Sequence, residues 1–196
     1  MQLSPVLVLA PATGPITLAQ VKAQSNIDFA DQDAGIELMI DAAIALLDGH
    51  TGTLRRALIE QTWQQDFAAF PVCELRLPLG DLISVSSVTY YDNNNAQQTL
   101  ATSVYAAFSN PQGPFLKLKP EQSWPSSYSR DDAVRVTWKA GFGDAADDVP
   151  ADIRQAMLML VGHWFENREA VVIGEIPATL QLAFDALTRR HSRVGF

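Results

Sequence analysis

The sequence predicts an α+β fold, in which helices from both ends of the chain form one helical body and a small antiparallel β domain is inserted between them. Apolar residues recur at three- and four-residue spacing before about residue 50 and again after residue 150. Between about residues 58 and 140 they alternate with polar residues, which is the period of strands. The order of helices, strands and helices favours a fold with separate helical and β parts.

Four helices are predicted, two at each end of the chain. Thr17 and Gln20 have the spacing of a capping box that opens a short helix through about Gln24. The second helix covers about residues 33–48, the third begins after Pro150 and ends near residues 167–169, and the last runs from Pro177 to about residue 190. The inward residues of the three longer helices are Ile36, Met39, Ile40, Ala43, Ile44 and Leu47, then Ile153, Met157, Leu160, Val161, Trp164 and Phe165, then Leu180, Phe184 and Leu187.

The middle of the chain predicts a small antiparallel β domain. Its strand segments are residues 59–67, 73–77, 83–91, 97–100, 104–108, 115–118 and 133–139. Cys73, Leu75 and Leu77 alternate with charged residues, so all three are expected to face the core. Residues 92–95 tolerate left-handed backbone geometry and predict a hairpin turn.

These segments divide the chain into four parts. Residues 1–57 form an N-terminal arm and the first helices, residues 58–140 the β insert, residues 141–187 the C-terminal helices, and residues 188–196 a basic tail. The arm has no basic residue before Lys22 and is interrupted by Pro5 and Pro11, which argues against a signal peptide. No apolar stretch is long enough to cross a bilayer, so a soluble protein is expected.

No arrangement of residues nominates a catalytic, cofactor-binding or metal site. Gly141-Phe142-Gly143 lacks the remaining glycine and the lysine of a phosphate loop. The aspartates at positions 144, 147, 148 and 152 lack calcium-loop spacing and precede a helix, whose dipole favours carboxylates. The single cysteine, Cys73, excludes an internal disulfide and indicates a reducing compartment, and the three histidines stand beside no evident acid or nucleophile. We therefore predict neither enzyme activity nor a cofactor.

Charge separates the tail from the rest of the chain. The net charge is −8, from 14 basic and 22 acidic residues, which disfavours a generic DNA-binding domain because that affinity depends on basic side chains. Residues 1–177 hold 11 basic and 21 acidic residues, whereas residues 178–196 hold three arginines and one aspartate. The tail is therefore positive on an acidic body.

Taken in order, several segments together resemble the head-to-tail connector (adaptor) proteins of long-tailed bacteriophages and phage-like gene transfer agents. They are residues 15–22, 51–59 with Gln61-Thr62-Trp63, Leu77-Pro78-Leu79 followed by Val85, Val88 and residues 90–92, Trp124-Pro125, residues 134–143, Val149-Pro150, Ile153, Gln155-Ala156, residues 167–169 and Ile176-Pro177. The turn at Asn93-Asn94-Asn95 departs from the pattern, because such proteins often carry a glycine there.

The resemblance implies a structural neck protein rather than an enzyme. It implies a ring of subunits, expected to be dodecameric, that docks on the portal protein of a DNA-filled head and joins it to the next neck (stopper) or tail protein. DNA would pass through the channel without specific binding, and no membrane would be involved. The protein would reside in the neck of the particle, and in the host cytoplasm during assembly.

The resemblance and the residue chemistry together nominate contact residues. The portal-binding candidates are Thr188, Arg189, Arg190, His191, Arg193, Val194 and Phe196, since arginines pair with carboxylates and an aromatic side chain fills a pocket. This tail is expected to be disordered in the free subunit. The candidates for contact with the neck or with other subunits are Val171, Val172 and Ile173 in an apolar loop, and Tyr90 and Tyr91 beside the hairpin turn. Subunits are expected to associate through the apolar helical body.

The sequence is also compatible with other functions. The chain could be a small enzyme with a site assembled from scattered carboxylates, or a binding module that grips a peptide or carbohydrate with its β insert. The loop at residues 171–173 could be a buried connection within its own subunit, and the basic tail could touch passing DNA instead of the portal. The acidic charge could repel DNA in a channel or serve only solubility.

Overall fold

A computed structural model of the chain describes residues 2–167 and 178–193. Over these residues the chain forms four α-helices, one short 3-10 turn and eight β-strands, which confirms the predicted α+β class. The chain separates into two compact units. The β unit consists of residues 2–12 and Glu60–Phe142, and the helical unit consists of Thr13–Ile59 with the described part of Gly143–Arg193.

The helical unit is built from α1 (Leu18–Gln24), α2 (Asp33–Leu47), α3 (Ala151–Glu166) and α4 (Ala178–Thr188). Helix α3 contacts the other three, so the two ends of the chain share one core. Its buried side chains follow the predicted helical spacing: Val21 in α1; Ile36, Ile40, Ala43 and Leu47 in α2; Ile153, Ala156, Met157 and Val161 in α3.

Local interactions define where the first two helices begin. The Thr17 Oγ1 accepts from the amide of Gln20 at 3.3 Å, and the Gln20 side chain accepts from the amide of Thr17 at 2.9 Å, which confirms the predicted capping box. Lys22 Nζ then lies 2.6 Å from a carboxylate oxygen of Asp33 in the first turn of α2. This ion pair links α1 to α2.

The β unit contains two antiparallel sheets. Its strands are β1 (Val6–Leu9), β2 (Gln61–Phe67), β3 (Glu74–Arg76), β4 (Leu82–Tyr91), β5 (Gln97–Thr99), β6 (Tyr105–Asn110), β7 (Gly113–Leu118) and β8 (Val134–Ala140). The larger sheet has the order β1-β2-β8-β4-β5, and the smaller one has the order β3-β7-β6. Consecutive strands β2 and β3 therefore lie in different sheets.

The centre of the larger sheet is fixed by the pairing of β2 with β8. Inward and outward residues alternate strictly in both strands, Trp63 lies opposite Trp138, and Asp66 lies opposite Arg135. Arg135 donates two hydrogen bonds to the Asp66 carboxylate, at 2.8 and 2.9 Å. The apolar pairs lie on one face of the sheet and the ion pair lies on the other. A shift of one residue would exchange the two faces, so only this register is favourable.

The predicted N-terminal arm, residues 2–12, lies in the β unit, because β1 pairs with β2. One expectation about an individual residue was wrong. Cys73 is exposed, since β3 begins only at Glu74, and the inward alternation holds for Leu75 and Leu77 alone. Among the described helices none is both long and apolar enough to cross a membrane.

Candidate functional site

The C-terminal segment, Thr188–Arg193, lies against the helical unit of its own chain. The carbonyl of His191 accepts from Arg56 Nε at 2.6 Å, and the amide of Arg193 donates to the carbonyl of Leu54 at 3.2 Å. Ser192 Oγ adds a long hydrogen bond of 3.4 Å to the carbonyl of Thr53. The segment is therefore attached to the loop that follows α2.

Tight local bonding shapes this loop. Both the amide and the hydroxyl of Thr53 donate to the carbonyl of Leu46, at 2.8 and 2.9 Å, and the amide of Leu58 donates to Asp48 Oδ1 at 2.7 Å. Gly52 allows the close approach, because a Cβ there would lie 2.2 Å from the carbonyl oxygen of Asp48. These bonds present the carbonyls of Thr53 and Leu54 to the C-terminal segment.

Asp152, in the first turn of α3, is the charged centre of the attachment. His191 Nε2 lies 2.8 Å from its Oδ2, and Arg190 forms an ion pair with the same oxygen. The side chains of Asp152 and His191 are only 11% and 16% exposed, whereas that of Arg190 is 70% exposed. One largely buried carboxylate thus holds two of the predicted portal-binding residues.

The pKa of Asp152 reflects this arrangement. Burial alone would raise it, but hydrogen bonds from His191 and Arg190, together with their charges, outweigh burial and hold the pKa of Asp152 below its ordinary value. The carboxylate is therefore ionised at neutral pH and attracts the basic segment.

The predicted portal-binding residues divide into three groups. Thr188 is buried and its hydroxyl donates to the carbonyl of Phe184 at 2.8 Å, so it is a packing residue of α4. Arg189 and Arg190 are exposed, while His191 and Arg193 are half-buried; Val194 and Phe196 lie outside the described residues. In the described segment Thr188–Arg193, Asp152 and the loop after α2 supply partners in the same chain.

The predicted tyrosines lie within an aromatic cluster of the β unit. Tyr90 and Tyr91 are half-buried; Tyr90 packs edge-on against Phe70 with ring centroids 5.6 Å apart, and Phe70 stacks on Trp124 at 4.9 Å. The guanidinium of Arg130 lies 3.8 Å from the ring centroid of Tyr91. The adjoining turn is stabilised by Asp92 Oδ1, which accepts from the amides at positions 94 and 96, at 2.9 and 3.1 Å. The loop residues Val171, Val172 and Ile173 lie outside the described residues.

The acidic run before α3 is used within the helical unit. Asp147 pairs with Arg154 at 2.6 Å, and Asp148 Oδ2 accepts from the amide of Ala145 at 3.0 Å. Within residues 2–167 and 178–193, no group of three or more His, Cys, Asp or Glu is placed to hold a metal ion. His50 is partly buried, which together with the charge of Arg55 lowers its pKa.

Sequence reasoning missed Asp152 and Arg56 as contact residues. In the sequence, Asp152 is explained by the dipole of α3, and Arg56 lies in residues 51–59, which carry only the family resemblance. The available signal was charge: Asp152 precedes the apolar stripe of α3, and the tail is the only basic segment after it. Asp152 and His191 are 39 positions apart in the sequence, and the periodicity of neighbouring residues does not predict a contact at that separation.

Comparisons with known proteins agree with this fold. A family model described as head completion protein matches residues 15–176. The structure resembles a chain in the neck of an empty gene transfer agent (GTA) particle computed with C6 symmetry, with a TM-score of 0.78. It also resembles a chain in the virion of a native GTA particle, with a TM-score of 0.79. Each match covers 99% of this chain and 97% of the similar chain. Both similar chains are 20% identical to this chain.

A third similar chain comes from the neck of a native GTA particle computed with C12 symmetry, with 18% identity, a TM-score of 0.67 and 97% coverage of both chains. No curated protein matches the sequence. The family match covers most of the chain and confirms the resemblance to phage-type connectors. The chain belongs to the head completion protein family, and its role is structural rather than enzymatic.

Proposed function

We propose that this chain is a neck adaptor, which docks on the portal of a phage or phage-like particle and joins the DNA-filled head to the tail. The observation that carries the proposal is the fold shared over nearly the full length with chains from GTA necks and virions. Membership of the head completion protein family supports the same role.

In this role the chain acts as one subunit of a ring, expected to be a dodecamer. The similar chains come from necks computed with C6 and C12 symmetry, and both symmetries are compatible with twelve copies around one axis. In such a ring each subunit contacts its neighbours through two different surfaces, and the ring closes by rotation.

Portal docking is assigned to the C-terminal end of the chain. Arg189 is exposed on the attached segment, where its guanidinium is available to portal carboxylates. Arg190 is also exposed, but it pairs with Asp152 in the free subunit, so it would have to exchange that partner for a portal carboxylate. Val194 and Phe196 follow them and add an apolar anchor. His191 holds the segment on the helical unit through its contact with Asp152.

The remaining functions follow from charge and position. A net charge of −8 suits a channel through which DNA passes without specific binding, because carboxylates repel phosphates. The stopper or tail protein contacts the hairpin beside Tyr90 and Tyr91. It also contacts the apolar residues Val171, Val172 and Ile173.

The test is collar formation on purified, DNA-free portals, observed by electron microscopy. The full chain is expected to form collars. Truncation after Arg193 and the charge reversal Arg189→Glu are expected to abolish them, and neither removes a partner of Asp152. Lys117→Glu, an exposed lysine on β7, is the matched control and should form normal collars.

Two outcomes would contradict the proposal. Absence of collars with the full chain would reject portal docking altogether. Normal collars from both the truncated chain and Arg189→Glu would reject the C-terminal end as the docking element. Loss of collars with Lys117→Glu as well would show that any charge change interferes.

A further inference from the structure

Strand β1 exposes four apolar side chains in succession. Val6, Leu7, Val8 and Leu9 are 59%, 42%, 55% and 64% exposed. Side chains alternate between the two faces of a strand, so neither face of β1 is covered by the described part of the chain. Contiguous apolar surface of this kind commonly marks a site of protein contact.

The backbone of β1 is also open on one side. Strand β1 is at the edge of the larger sheet and pairs only with β2 among the described strands. Edge strands in free proteins are commonly protected by charged side chains, yet residues 2–21 contain no charged residue. Two features limit the length of β1 that can pair with another strand. They are the irregularity in register between Leu7 and Leu9 and the prolines at positions 5 and 11.

The opposite edge of the same sheet is open as well. Strand β5 pairs only with β4 among the described strands, and its three residues, Gln97, Gln98 and Thr99, are all exposed. They are neutral, like β1, so no charge repulsion separates the two edges. Each copy therefore presents two different open edges on one sheet.

We infer that β1 of one copy pairs with β5 of the neighbouring copy and forms part of the contact between subunits. This inference rests on the proposed ring, in which every copy offers two unlike surfaces to its neighbours. Main-chain hydrogen bonds between the two edges supply affinity without requiring matched side chains, and the neighbour covers the apolar residues of β1. In the helical unit Ile36, Ile40 and Leu47 are buried. Its exposed apolar side chains, such as Leu38 and Leu46 on α2, lie on a helix and offer no unpaired main-chain groups of a strand edge.

Cysteine cross-linking tests this contact directly. In a Cys73→Ser background, cysteines are placed at Val8 and Thr99, together and singly, and the chains are oxidised both free at high concentration and on portals. Three strands separate these positions within one sheet, about 19 Å at the usual strand spacing, which is beyond the reach of a disulfide within one copy. The double variant is expected to give a ladder of multimers, and each single variant only monomer.

The outcomes separate the inference from the proposed function. Absence of a ladder under both conditions overturns the β1–β5 contact, even where collars form. Dimers from the Val8 cysteine alone overturn it in favour of β1 pairing with β1. Whether the wild-type chain forms collars reports separately on portal docking, because a ladder from free protein needs no portal.

A substitution gives a second readout. Val8→Lys is expected to reduce the fraction of portals carrying collars about tenfold, equivalent to about 1.4 kcal/mol, without changing the far-UV circular dichroism. Leu38→Lys, at a 70% exposed site on α2, makes the same chemical change in the helical unit and should be neutral. The reverse result, with only Leu38→Lys defective, would place the contact on the helical unit instead.

Discussion

His191 Nε2 lies 2.8 Å from the carboxylate of Asp152, although 39 residues separate them in the chain. This contact joins the basic end of the chain to the first turn of α3, and the same carboxylate oxygen also pairs with Arg190. A segment that reads in the sequence as a free basic tail is therefore held by one acidic residue, and the strength of that attachment is measurable.

Asp152→Asn is expected to lower the free energy of unfolding by about 1.5–3 kcal/mol, the range for hydrogen bonds to charged groups. The substitution keeps the shape but removes the charge that His191 and Arg190 face. Urea denaturation measures the change. The control is Asp147→Asn, whose 87% exposed side chain pairs with Arg154 and should cost less than about 1 kcal/mol. Equal effects of the two would show that Asp152 has no special role.

The stabilisation by Asp152 is expected to depend on pH. The pKa of Asp152 is lower in the folded protein than in the unfolded chain, so its contribution is complete above the unfolded value, about 3.9, and is lost as the pH falls through the folded value. The difference in unfolding free energy between the wild type and Asp152→Asn should stay constant near neutrality and shrink below about pH 4. A difference that grows on acidification would contradict this sign.

Gly52→Ala is expected to destabilise the helical unit by about 1–3 kcal/mol, the usual cost of forcing extra volume into a packed site. The added Cβ would lie 2.2 Å from the carbonyl oxygen of Asp48 and 2.6 Å from the backbone of Leu47, so backbone has to move. Gly35→Ala in α2 is the matched control, because nothing lies within 4 Å of its Cβ. There, thermal denaturation should show a gain of about 0.4–1 kcal/mol from the lower entropy of the unfolded chain.

Shortening the β4–β5 turn is expected to impair tail joining but not folding or portal docking. Tyr91 pairs with Gln97 across the hairpin, so the replaced residues are 92–96, and Asn-Gly provides the two-residue turn that such strands favour. Particle assembly with and without tails, counted by electron microscopy, is the measurement. Normal numbers of tailed particles would show that the tip of the hairpin makes no necessary contact.

Replacing Val172 and Ile173 by Ser tests the apolar loop. If the loop contacts other proteins, assembly should weaken while the far-UV circular dichroism is unchanged, because the substitutions remove apolar contact surface only. Collapse of the circular dichroism signal would instead identify these residues as part of the core of their own subunit.

The sequence predicted elements that local patterns define, and it failed where pairing is distant. The capping box at Thr17, the inward face of α2 and the hairpin after Tyr91 each depend on residues within a few positions of one another. The pairing of β1 with β2 joins Leu7 to Trp63, and no short-range pattern indicates that partner. The pairing of β3 with β7 in a second sheet and the contact of His191 with Asp152 also join residues that lie far apart in the sequence.

The division of the chain into units has a consequence for synthesis on the ribosome. The described strands of the β unit all end at or before Ala140, whereas α1 and α2 bury their apolar faces against α3, which ends at Glu166. Since domains fold as units as they emerge, the β unit should complete its sheets first. Helices α1 and α2, although made earlier, should wait with Val21, Ile36 and Ile40 uncovered until α3 leaves the exit tunnel, and this interval is when the nascent chain is most open to chaperones and to aggregation.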